Sequence, residues 1–112
     1  MNLNLSNPAD RRRSERILQR IPVRVAGNAQ DGRRIDVGAA ALVISPHGAL
    51  LRIPAALAPG TSVDVTLLAS GRSEEFRVVW MGVVREDGQF DAGIELQGPV
   101  EDFWAMSYAA EN

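Results

Sequence analysis

Arginine dominates the residues of this chain that could do chemistry. Arg16 and Arg20 are spaced four apart in the segment RRRSERILQR, and Arg11, Arg12 and Arg13 precede them. Two guanidinium groups at that spacing can converge on one ligand when the segment is helical or wraps back. The planar fork of arginine matches phosphate oxygens and guanine edges in a bidentate way, and it stacks on bases. A second group, Ser45-Pro46-His47-Gly48, has the composition of a tight turn. There a serine hydroxyl and exposed amides can bond a phosphate or a base, and Gly48 allows close backbone approach. The chemistry suggested is anion binding.

The rest of the composition narrows this. The chain has 112 residues, no cysteine and one histidine, His47. Disulfides, thiolate sites and multi-histidine metal sites are therefore excluded, and no metal ligand is assigned. No catalytic residue is assigned either. There is no glycine-rich phosphate loop before a helix. Asp36, Asp64 and Asp91 fall on separate expected strands and read as surface charges. An enzyme is the weakest of the readings. Residues 1–34 carry eight arginines against Asp10, Glu15 and Asp31, a balance of +5. Four arginines against eleven acids follow, a balance of −7. With net charge −2, a nucleic-acid polymer is not expected as a partner. No apolar run approaches the ~20 residues of a membrane helix, and the N-terminus lacks a signal-peptide middle. Cytoplasmic location and no membrane insertion are the expectations.

The positioning elements are strands. Ile21 to Val25 begins the first, with Pro22 implying an edge or a strand start. Ile35 to Ile44 is a long strand in which the small residues Gly38 to Ala41 suggest a bulge or close approach. Ala49 to Ile53 follows the Ser45–Gly48 turn. Val63, Val65 and Leu67 alternate inward on the fourth strand. Phe76, Val78, Trp80 and Val84 share one face of the fifth, and Trp80 is expected in the core. Asp87-Gly88 is a hairpin signal, and Phe90, Ala92, Ile94 and Leu96 line the sixth. Residues 100–110 read as a helix docking through Phe103 and Trp104. A leader over 1–10, an arginine-rich arm over 11–20 and a barrel with its helix over 21–112 follow. Closure of six short strands into an antiparallel β-barrel removes exposed edges.

Arg16 to Arg20 before IPVRV, then VISPHG at residues 43–48, resembles the PilZ domain, a bacterial cyclic di-GMP receptor. That family's pattern is RxxxR before the first strand and (D/N)xSxxG some two dozen residues later. The resemblance spans about residues 11–104, including Val78-Val79-Trp80 and Gly93-Ile94-Glu95-Leu96. It implies a six-stranded antiparallel barrel with a C-terminal helix, in agreement with the pattern reading. It implies that Arg16 and Arg20 hold the phosphates and guanines of cyclic di-GMP, with Ser45 and Gly48 on the barrel side. Arg12 and Arg13 extend the anion site or shift its register. No further cofactor is implied. Val43 stands where the family has Asp or Asn. Valine accepts no hydrogen bond, and an unpaired guanine donor costs on the order of 1–3 kcal/mol, roughly ten- to a hundredfold in affinity. Two readings stay open: a cyclic di-GMP receptor acting on a downstream protein, and a degenerate module that binds protein or self-associates without nucleotide.

Overall fold

A computed structural model describes residues 17–98 together with Phe103 and Trp104, with side chains from Arg20 onward. Six strands form: β1 (Ile17–Asn28), β2 (Arg34–Ser45), β3 (Gly48–Ile53), β4 (Ser62–Leu67), β5 (Ser73–Met81) and β6 (Phe90–Leu96). They close into a barrel in the order β1-β2-β3-β6-β5-β4, and every neighbouring pair is antiparallel. The expected barrel is therefore present. The helix over 100–110 lies mostly outside the described residues. Its two described residues, Phe103 and Trp104, occupy a turn.

Alternation explains the core. Val23 and Val25 of β1, Val63 and Val65 of β4, Phe76 and Val78 of β5, and Ala92 and Ile94 of β6 all point inward and are buried. Phe103 and Trp104 close the core at 1% and 2% exposure. The Phe103 ring meets Phe76 edge-on at 5.2 Å and Trp104 edge-on at 4.8 Å. Such pairs add to the burial of their area. The docking expected of these two aromatics is thus realised.

β1 starts at Ile17, so residues 17–20, read as part of the arm, are strand. Residues 1–16 lie outside the described residues. The ladder between β1 and β4 stops at Val23 opposite Leu67. Just upstream, the Leu68 amide still donates to the Pro22 carbonyl at 3.3 Å while Pro22 pairs with Ala40 of β2. Pro22, which has no amide to donate, stands where the β4 ladder ends.

Two expectations are corrected. The irregularity in β2 is not at Gly38–Ala41, which pairs without a break with β1; the register shift against β3 falls between Ala41 and Val43. Nor is Gly38 a point of close approach, because a Cβ there would meet nothing within 4 Å. The second correction concerns β5. Its register against β6 shifts between Val78 and Trp80, which inserts Val79 as an extra residue. The bulge breaks the two-residue parity. Trp80 leaves the core face and is 52% exposed, Val84 is exposed as well, and Met81 packs inward instead.

The β5–β6 connection turns at Asp87-Gly88 as expected, with Gly88 at φ 83°. The Gln89 amide donates to the Asp87 carboxylate at 2.9 Å. That bond, helped by the Arg85 charge, holds the Asp87 carboxyl below the ordinary aspartate value of 3.8. A depressed carboxylate stabilises above its unfolded value and loses that contribution as pH falls through its folded value. The Gln89 amide resonance should therefore titrate with a midpoint below 3.8 in an NMR pH series. A midpoint at or above that value contradicts the bond.

Gly48 is a genuine close approach, since a Cβ there would overlap the Ile94 carbonyl oxygen of β6. Gly48→Ala should cost about 1–3 kcal/mol in urea denaturation, the usual range for overpacking. Gly38→Ala should be neutral or stabilising by up to ~1 kcal/mol, because the side chain enters open space and stiffens the unfolded chain.

Candidate functional site

The Ser45–Gly48 segment is a two-residue hairpin joining β2 to β3, with Ser45 paired to Gly48. The Ser45 hydroxyl donates to the Gly48 carbonyl oxygen at 3.5 Å, the outer limit for such a bond. It is readily redirected to a better acceptor. The Leu96 amide donates to the His47 carbonyl at 2.8 Å, which ties the turn to the end of β6. The His47 ring side of the turn is exposed.

Outside the barrel, the register builds rows of outward-facing residues across four strands. One row runs from Ser45 through Gly48 and Glu95 to Arg77. The next runs from Val43 through Leu50 and Gly93 to Trp80. Between them lies an open cleft of about 400 Å³ lined by Val43, Ser45, Gly48, Val79, Gly93 and Glu95, among others. Gly48 and Gly93 both line it; a Cβ on Gly48 would run into the Ile94 carbonyl, and one on Gly93 would touch the Trp80 and Val79 side chains. The Trp80 ring lies over Gly93 and Gly82 beside the cleft, close enough that a Cβ on Gly82 would meet the ring at 3.1 Å.

Arg20 is exposed and lines a different concavity of about 370 Å³, with Pro22, Ala39, Ala40 and Arg52. Ser45 and Gly48 share one hollow, and Arg20 does not share it with them. Arg12, Arg13 and Arg16 lie outside the described residues. Arg52 is engaged: its Nε donates to Asp91 at 2.6 Å, and Arg85 stands 3.7 Å from the other Asp91 oxygen. The hydrogen bond to Asp91, with that carboxylate's charge, raises the Arg52 pKa above its ordinary value. Asp91 is thus a structural partner of two arginines and not the simple surface charge its position suggested. Asp36 is likewise paired, with Arg24 at 2.7 Å across β1 and β2. Among the described residues, no group of three or more His, Asp or Glu side chains is placed to hold a metal.

Sequence reasoning missed Glu95 and Val79 as cleft residues. An outward glutamate on an alternating strand reads as a solvated charge, and Val79 enters the site only through the bulge. The signal available was the pairing of Gly48 with the Gly93–Glu95 strand, which no local pattern displays.

No curated protein matches the chain closely enough to serve as a relative. The family model of the PilZ domain matches residues 10–102, from before the arginine-rich segment to the end of the barrel. PilZ domains are in general cyclic di-GMP-binding, signalling modules rather than enzymes. With both motif segments and all six strands inside the match, the chain belongs to the PilZ domain family.

Proposed function

We propose that the chain is a signalling receptor that binds cyclic di-GMP over the Ser45–Gly48 turn, with Arg16 and Arg20 supplying contacts to phosphate and base. One observation carries the reading. β1 begins with Ile17 paired to Ile44, so the chain that bears the arginine-rich segment joins the barrel beside Ser45. This register supports a site shared by the two halves of the motif, although Arg20 itself lines a separate concavity. The 400 Å³ cleft next to them falls in the size range of small-ligand sites. Arginine forks provide the charge-assisted bonds that a phosphodiester needs, and Arg12 and Arg13 add to the local positive field. Val43 gives the cleft an apolar flank where the family carries a hydrogen-bond acceptor, so affinity is lower than an Asp or Asn would allow. Ligand binding would order residues 11–20 against the barrel and change the surface offered to a downstream protein. Cytoplasmic placement belongs to the same proposal.

A second reading has its own support. Val79, Trp80, Val83 and Val84 are all more than half exposed, and Val83 reaches 87%. Clustered apolar exposure of this kind marks interaction surfaces. On this reading the module binds protein, or another copy of itself, without nucleotide.

Isothermal titration with cyclic di-GMP decides between them. Binding is expected. Arg16→Ala and Arg20→Ala should each weaken it about ten- to a hundredfold, the worth of a hydrogen bond to a charged group. No heat at high ligand concentration, with circular dichroism showing a folded barrel, rejects the receptor reading. Val43→Asp should strengthen binding by about ten- to a hundredfold. A silent wild type with a binding Val43→Asp variant would mean that one substitution removed the site. Silence in both leaves the interaction reading, which sedimentation and partner capture then examine.

A further inference from the structure

The cleft holds a carboxylate that can do what Val43 cannot. Ser45, Gly48 and Glu95 are consecutive members of one cross-strand row on β2, β3 and β6. Two strand spacings separate Ser45 from Glu95, roughly 9–10 Å between backbones. Gly48 stands between them with no side chain, and the close approach of Ile94 keeps it so. The result is a slot with a hydroxyl at one wall, a carboxylate at the other and bare backbone as its floor. Val43 and Val79 add apolar surface beside it. Glu95 is exposed, and among the described residues it is in no ion pair, although Arg77 is its neighbour across the β5–β6 ladder.

We infer that Glu95 is the guanine-reading residue of this chain, accepting hydrogen bonds from the base's N–H donors in place of the acceptor lost at position 43. This inference rests on the cyclic di-GMP reading of the cleft. The guanine Watson–Crick edge presents two adjacent donors, the ring N1–H and the exocyclic amine, and a carboxylate accepts both side by side. An adenine edge offers an acceptor at N1 and repels that carboxylate. Glu95 therefore sets base preference as well as affinity.

Charge alone makes the opposite demand. Glu95 is negative and cyclic di-GMP is a dianion, so removing the carboxylate should tighten binding if the residue acts only through the field. Direct recognition requires a loss. Isothermal titration of wild type, Glu95→Ala and Glu95→Gln with cyclic di-GMP, each with cyclic di-AMP alongside, separates the two. The expected result is a ten- to hundredfold loss for Glu95→Ala, a smaller loss for Glu95→Gln, and a reduced preference for guanine in both. Adding Val43→Asp to Glu95→Ala should restore most of the affinity, since the second acceptor then stands on the other flank of the slot. Glu95 is on the surface, so an unchanged melting temperature is expected and makes the comparison clean. Wild-type binding with equal or tighter binding by Glu95→Ala overturns the role of Glu95 and leaves the receptor reading intact. A folded wild type that binds neither nucleotide overturns both.

Discussion

A ladder of four residue pairs, Val23 to Ala26 on β1 against Leu67 to Asp64 on β4, turns six strands into a closed surface. An open sheet of this size would leave two edges with unsatisfied amides and carbonyls and a half-covered apolar face. Within that surface the β3–β6 ladder joins the β2–β3 and β5–β6 hairpins, so β2, β3, β6 and β5 are consecutive neighbours. The cleft exists because those four strands are adjacent. Ser45 and Glu95 are fifty residues apart in sequence and two strands apart in space.

The β1–β2 ladder lets one arginine of the basic part meet an acid of the rest, with Arg24 reaching Asp36 across it. Within the acidic part, Asp91 gathers Arg52 and Arg85 at the base of the β5–β6 connection. The exposed Arg24–Asp36 pair contributes little to stability, while Arg52 and Asp91 are largely covered.

How far the sequence could be read depended on whether the relevant pattern was local. β4 and β6 alternate without interruption, and their inward residues were assigned correctly from periodicity. Phe103 and Trp104 were legible as a docking pair because two adjacent bulky aromatics have few other uses. β5 also alternates in sequence, yet the extra residue at Val79 reverses which side chains face in, and Trp80 moves to the surface. A bulge is a property of two strands, so one strand's pattern does not disclose it. The site follows the same division. Ser45 and Gly48 were visible as a motif, and the departure at Val43 was visible with them. Glu95 was not, because only the pairing of Gly48 with β6 brings it there. Gly48 itself has a duty that the sequence could not show: it lets β3 approach the Ile94 carbonyl.

The displacement of Trp80 by the bulge has an optical consequence. The chain has two tryptophans, and the fold gives them opposite environments: Trp80 is half exposed beside the cleft, while Trp104 is sealed in the core against Phe103 and Phe76. A water-borne collisional quencher reaches the first indole and not the second. Emission from the chain should therefore combine two signals, a red-shifted one from the exposed Trp80 and a blue-shifted one from the buried Trp104. The protein carries its own pair of probes, one for its outer surface and one for the integrity of its interior.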